Sequence, residues 1–571
     1  MKKNNQTFLI QIVLWGAIIV LLNLVSQRLF FRADLTAEKR YSLNQVTKDL
    51  LKELEDPVLV KLYMAGEMPA DFLRLQREAI QMLNEFKAIY RNIELEIIDP
   101  NAIENRKDRS NLMQQLETLG LNPIQVEIEE SGGEKRITVY PGAIMSYAER
   151  QIPVQLLSGQ LNVTPEQQIN AAIQNLEYTW ANAIRSLAKT KRKSVGFLFG
   201  NGQLPVENVA DIMTTLSQHY EVGRMDIKEY PVDTVTGALS LQRQLTRINR
   251  FDAIVIAKPT EPFNDLDKFL IDQYIMQGGN VLWCIDAVHA DMDSLSESSE
   301  MLAFPILDDL RISDMLFKYG VRINSNLVQD LKAAWLSDMQ RVRPWVYFPL
   351  ISPRVKHPIT KDLNAIKLQF ASSIDTVMSE GVIKTPLLLS SGNTKVVPTP
   401  HVVSLERYYN FPKDDIFAKS NIPMAYLLEG AFTSIFANRI MPRLDSKEDI
   451  PFREKGKSST QVVIADGDII KNQRNILNPN IERGKPLPLG LDQFTGVQYG
   501  NKDFLLNVFD YMLDPRNLIQ IRSRELKIRL LDKERIRAER NVWVIVNTAV
   551  PILLIVLIGI FNIFLRKRKY A

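Results

Sequence analysis

Two long runs without a charged residue, one near each end, constrain this chain most. The first is Asn4 to Gln27, with its apolar core at Phe8 to Val25, and the second is Asn541 to Leu565. Each reaches the ~20 residues that a helix needs to cross the hydrocarbon of a bilayer. The first run is longer than the core of a secretory leader. No small-residue cleavage pattern follows it before Arg28, so it reads as an uncleaved span over 8–27. The second, a span over 541–565, contains Pro551, which membrane helices tolerate, and places Trp543 where an interfacial aromatic is expected. The flanking tails, 1–7 and 566–571, are basic and free of acid. The charge rule therefore puts both in the cytoplasm of an inner-membrane protein, with the large intervening region periplasmic.

The net charge of +4 has to be read with those tails in mind. Lys2, Lys3, Arg566, Lys567, Arg568 and Lys569 contribute +6, so the remainder of the chain carries −2. That distribution argues against nucleic-acid binding. One cysteine, Cys284, excludes an internal disulfide, a cysteine-based zinc site and a CxxC redox pair.

Between the spans the pattern is α/β. Residues 34–188 open with a helix that Ser42 and Gln45 would cap. A strand (Val58 to Met64), a helix (Asp71 to Tyr90) with apolar residues at helical spacing, and a strand (Ile93 to Ile98) follow. Two further strands (Gln125 to Glu129, Arg136 to Tyr140) and a helix opened by Thr164 and Pro165 complete an order that resembles a thioredoxin-like fold. A basic linker, Lys189 to Lys193, marks a boundary. From 194 to 318 short apolar strands (Ser194 to Phe199, Phe251 to Ala257, Val281 to Ile285) alternate with helices, the signature of a parallel, doubly wound sheet. Residues 319–444 read as a second lobe or insertion and 445–460 as a mobile loop. Residues 461–520 complete the α/β domain, beginning with the strand Gln461 to Ala465. A juxtamembrane helix is expected over 521–540. There Leu526, Leu530 and Leu531 form a candidate partner-binding face, surrounded by Arg522, Arg524, Lys527, Arg529 and Lys533.

Catalytic signatures are sparse. A phosphate cradle would need glycine at position 451 before Gly456-Lys457-Ser458, and Pro451 stands there. The four histidines are scattered, so neither a metal nor a cofactor is expected. Cys284 is flanked by Leu282 and Asp286 at the positions where a nucleophile elbow needs small residues, which favours a buried thiol. The remaining ligand-binding candidates follow sheet strands: Gly200, Asn201 and Gly202 as a short anion-facing loop, and Asp286, Asp466 and Asp468 at the carboxyl edge, where such folds bind ligands.

The run Asp34-Leu-Thr-Ala-Glu-Lys-Arg-Tyr-Ser-Leu43 resembles the opening of the gliding-motility-associated ABC-transporter auxiliary proteins of Bacteroidota. The likeness continues through Gly278-Gly279, Trp345-Val-Tyr-Phe-Pro349, His357-Pro358 and Ile464-Ala-Asp-Gly-Asp468. It closes with Arg522 to Leu531 and the final span. The resemblance implies an auxiliary or substrate-binding subunit without catalysis and a middle domain similar to amidotransferase-like modules. Its implied partners are a separate permease and a separate ATPase, in a complex serving gliding. Where relatives tend to have Gly-His-Gly-Glu, this chain has Gly200-Asn-Gly-Gln203. A membrane-tethered amidotransferase-like or hydrolase-like enzyme and a pure envelope scaffold are the alternatives. Open strand ends with converging polar groups would favour a binder or enzyme, and filled ends the scaffold.

Overall fold

The computed structural model describes residues 14–15, 42–130, 133–157, 165–188, 192–232, 239–337, 342–405, 417–442, 451–514, 518–523 and 533–570. The expected first span lies almost wholly outside the described residues, as do Leu526, Leu530 and Leu531. Among the described residues one helix segment, Ala538–Leu565, is long and apolar enough to cross a membrane; it belongs to the helix Lys533–Tyr570. Its 28 residues span about 42 Å at the usual helical rise, enough for the bilayer core of about 30 Å. This C-terminal helix and the preceding region form two separate compact units.

The larger unit is mixed α/β. Near its N-terminus a four-stranded sheet runs Ile93–Ile97, Val58–Leu62, Gly142–Tyr147, Arg150–Gln155. The first two strands are parallel and the other pairings antiparallel, with Val60 opposite both Leu95 and Met145. The parallel pair requires a crossover, supplied by the helix Ala70–Ile89, which buries Phe72, Leu75, Ala79, Leu83 and Phe86. The helix Pro165–Ala188 places Trp180 and Ile184 in the same core. One cap differs from the sequence expectation: the helix Gln45–Lys52 is capped by Asn44, not Ser42. The Asn44 side-chain oxygen accepts from the Val46 N–H (3.0 Å), while buried Glu177 accepts from the Asn44 N–H (2.6 Å) and the Thr47 hydroxyl (2.8 Å).

The second sheet has seven strands, in the order Val382–Leu389, Pro423–Thr433, Lys455–Ile464, Asn280–Cys284, Ala253–Ala257, Ser194–Phe199, Glu221–Asp226. The last five are parallel to one another. Their central members are apolar on both faces, as strands covered on two sides must be. Ile254, Ile256 and Trp283 face the core shared with the helices Leu241–Ile248 and Asp265–Met276. Val255, Ala257 and Leu282 face the helices Val206–Ser217 and Asn501–Leu513.

One sequence expectation is corrected here and two are extended. Residues 319–444 are not a wholly separate lobe, since two of their strands extend the main sheet antiparallel, with Leu427 opposite Val462. Residues 455–460, expected in a mobile loop, form the first half of the strand Lys455–Ile464, held by that same pairing. Finally, residues 461–520 do more than complete the α/β domain: Leu518 and Ile519, with Ile521 beyond them, are buried in the N-terminal core beside Trp180.

The two sheets meet at a buried polar seam. The Asp510 carboxylate accepts from the Tyr178 hydroxyl (2.8 Å), the Tyr220 hydroxyl (2.6 Å), the Arg185 guanidinium (2.6 Å) and the Asn182 amide (3.3 Å). Arg185 also reaches Asp514 at 3.5 Å. Burial alone would push the Asp510 carboxyl up. Arg185 foremost, then His219 and the two tyrosine hydroxyls, outweigh burial and hold it below the ordinary carboxylate value.

Stranding one member of such a pair costs about 3–5 kcal/mol. Asp510→Ala should lose stability on that scale, read as a lower urea midpoint of the full chain in detergent. Because the folded pKa is depressed, the stability that Asp510 supplies is complete above about pH 4 and is lost as pH falls through the folded value. The variant should lack that acid limb. An unchanged midpoint would show that apolar contact alone holds the seam.

Candidate functional site

The carboxyl ends of the three central strands converge because the strands are parallel and in register. Cys284 lies opposite both Ala257 and Ile464. The residues just beyond are Lys258, Asp286 and the run Asp466, Gly467 and Asp468, delivered from three different strand ends. Lys258 takes a left-handed backbone conformation (φ +50°), and its N–H donates to the Cys284 carbonyl at 2.8 Å.

The ammonium of Lys258 lies 2.6 Å from an Asp468 oxygen and 3.0 Å from an Asp286 oxygen. The other Asp286 oxygen accepts from the Gly467 N–H at 2.5 Å. Asp466 is fully buried, and its two oxygens accept from the N–H groups of Asp468 (2.7 Å) and Gln369 (2.8 Å). Gly467 is required by this closeness: a Cβ there would sit 2.6–2.7 Å from the Lys258 side chain.

Electrostatics sort the four groups. Burial would lower the Lys258 ammonium, but Asp286 and Asp468 raise it, so it stays charged. Burial raises the Asp286 carboxyl, with Lys258 opposing and Asp468 adding to the rise. Asp466 is pushed well above the ordinary value by burial first and then by Asp468 and Asp286. With no cation of its own, Asp466 has only two backbone N–H groups to favour its charged form. One oxygen from each of the three aspartates lies within 4.8 Å of the others, a spacing compatible with a metal ion. The Lys258 ammonium, however, already supplies the cation, and a divalent ion would have to displace it.

The structure thus brings Asp286, Asp466 and Asp468 together and adds two groups that the sequence reading missed. Lys258 directly follows the strand-like run Phe251 to Ala257, and a cation immediately after an apolar strand was the available signal. Gln369 acts through its backbone N–H and leaves no trace in its residue type. The loop Gly200, Asn201, Gly202 is not an open anion cradle. The Asn201 N–H is spent on the Gln203 side chain (2.8 Å), and its amide bridges the Pro262 carbonyl and Asp267, both at 3.0 Å. Gly202 (φ +65°) packs so closely that a Cβ would lie 2.2 Å from the Thr260 hydroxyl. Cys284 is fully buried, and burial foremost raises its thiol well above the ordinary value. Arg522, expected in an exposed basic surround, is buried, donating to the Asn507 side chain (2.7 Å) and to the Lys361 carbonyl.

Residues 192–508, which include the site, match the family model described as an ABC-type uncharacterized transport system (ABC_transp_aux). The chain belongs to this ABC transport auxiliary family. Its role is therefore auxiliary to an ABC-type transport system, and the C-terminal helix supports membrane association. Residues 37–146 match a domain of unknown function, DUF7088. A Borreliella burgdorferi protein, described as an uncharacterized protein, is 20% identical over 99% of both chains. Among solved structures, the mmIFT52 N-terminal domain is 11% identical with a TM-score of 0.31, covering 56% of this chain and 97% of its own. A ThuA-like protein from Parabacteroides merdae is 10% identical with a TM-score of 0.25, covering 56% and 90%.

In this auxiliary protein Lys258→Met leaves two buried carboxylates without their cation, at a cost of about 3–5 kcal/mol. Gly467→Ala should cost about 1–3 kcal/mol by overpacking against Lys258. Both are read from thermal unfolding, and a neutral Lys258→Met would refute the ionic lock. Asp466, with a raised folded pKa, contributes stability that is complete below about pH 4 and lost as pH rises through the folded value. Asp466→Asn should flatten that slope in urea midpoints measured across the pH range.

Proposed function

We propose that this chain is a non-catalytic auxiliary subunit of an inner-membrane ABC transport complex that includes a separate permease and a separate ATPase. In this reading two spans anchor it, over 8–27 and 541–565, with both termini cytoplasmic and the folded region periplasmic. Gliding motility is the process it serves, on the likeness of Asp34 to Leu43. The strand order and directions of the N-terminal sheet support a thioredoxin-like domain, and the five parallel strands an amidotransferase-like one.

One observation sets aside the substrate-binding and enzymatic readings, and the family match of residues 192–508 favours an auxiliary subunit of a transporter over a pure envelope scaffold. The carboxyl edge of the large sheet is where a doubly wound fold places its ligand. Here that edge is filled by the ion triad of Lys258, Asp286 and Asp468 and by the fully buried Asp466 and Asn201. The buried thiol of Cys284 likewise supports a structural role.

Purification of the tagged full chain from native membranes tests the reading. The permease and the ATPase should copurify, and Cys284→Ser should retain both partners and gliding. Recovery of the chain without either partner would overturn it. Loss of gliding in a folded Cys284→Ser protein would instead favour the enzyme. A reporter fused near residue 250 should report from the periplasm, and a cytoplasmic signal would overturn the topology.

A further inference from the structure

Outside the closed site, the small sheet formed by Val288–His289, Glu300–Pro305 and His401–Ser404 has one face that the core does not use. Ala303 and Val403 point inward and are fully buried. Residues alternate across a strand, so Leu302 and Phe304 point outward. Val402 pairs directly with Leu302, and His289 with Phe304. The outward side chains are 57% (Leu302), 40% (Phe304) and 49% (Val402) exposed. The His289 ring lies against Phe304, centroids 4.9 Å apart. Three adjacent apolar side chains on one sheet face form a contiguous patch, and such patches mark interaction sites more often than scattered exposed residues do.

The stretch of sequence that carries this patch is acidic. Between Lys268 and Arg311 the sequence holds no lysine or arginine and eight acidic residues. Of these, Asp293, Glu297, Glu300, Asp308 and Asp309 are exposed. Glu300 sits on the same strand face as Leu302 and Phe304. An anionic membrane surface would be repelled by such a stretch, whereas a cationic protein segment would be drawn to it.

We propose that this face docks a partner protein through a segment that presents apolar side chains flanked by lysine and arginine. The apolar residues would cover Leu302, Phe304 and Val402, and the basic ones would meet the acidic residues of that stretch.

The test places a photo-crosslinking residue, p-benzoylphenylalanine, at Leu302 in the full chain in native membranes, with Ile383, another exposed apolar residue, as the control position. Mass spectrometry then maps the crosslinked peptide. The expected product is a protein segment with apolar residues next to lysine or arginine. Charge reversal (Glu297→Lys, Glu300→Lys, Asp308→Lys and Asp309→Lys together) should lower its yield about tenfold, because such charges set encounter and orientation. The milder set of Glu→Gln and Asp→Asn changes at the same positions should lower it less and keeps the test informative if the reversal disturbs folding. Crosslinks to lipid, to an acidic or uncharged segment, or equally from Ile383 would overturn the proposal. So would a yield indifferent to both charge sets, or no crosslink at all.

Discussion

The Arg185–Asp510 pair joins what would otherwise be two independent cores. Asp510 lies near the end of the helix Asn501–Leu513, and Arg185 near the end of the helix Pro165–Ala188. Apolar surfaces alone would let these helices slide, because hydrophobic contact is non-directional. A carboxylate that accepts from Tyr178, Asn182, Arg185 and Tyr220 has one good position only. Burying the charges carries a desolvation penalty, which these four donors offset. The gain is a fixed register between the N-terminal unit and the large sheet. The segment Leu518–Ser523 reinforces the join, with Leu518 and Ile519 in the N-terminal core and Arg522 bonded back to Asn507.

With the seam fixed, the chemistry at the sheet's carboxyl edge follows from strand register. Parallel strands bring their following loops to one place, and polar residues there must either meet a ligand or satisfy one another. Here Lys258 and the aspartates satisfy one another. Lys258 pairs with both Asp286 and Asp468, while Asp466 accepts two backbone N–H groups. Membership of an ABC transport auxiliary family fits such an edge, since an auxiliary subunit can act through its surface rather than through a reacting site.

Much of this fold could be read in the sequence because it rests on apolar periodicity. The spacing of Phe72, Leu75, Ala79, Leu83 and Phe86 identifies a helix, and the runs at 253–257, 281–285 and 461–465 identify buried strands. Three of the site's four charged groups, the aspartates, were legible because they follow those strands. Lys258 was not, since a lysine before a proline reads as the start of a turn. The seam was hidden for a different reason. Arg185 and Asp510 are 325 positions apart, and neither breaks the pattern of its own helix enough to announce burial. The polar bonds of Asn201 were likewise invisible, because a Gly-Asn-Gly loop looks the same whether its amide faces solvent or the Asp267 carboxylate.

Acidic residues therefore do three different things in this chain, and only their surroundings tell them apart. Asp510 is ionised and structural because Arg185 and three further donors surround it. Asp466 is structural as well, its pKa raised by burial and two neighbouring carboxylates against the two backbone N–H groups that favour ionisation. Glu297, Glu300, Asp308 and Asp309 lie at the surface, in a stretch of sequence without lysine or arginine that also carries the exposed Leu302 and Phe304. The first two groups have exhausted their bonding capacity inside the fold, and substitution there would be felt as lost stability. The third adds little to stability, since exposed charges contribute little to folding. What such a surface can contribute is selectivity toward a partner, by attraction to one charge sign and repulsion of the other.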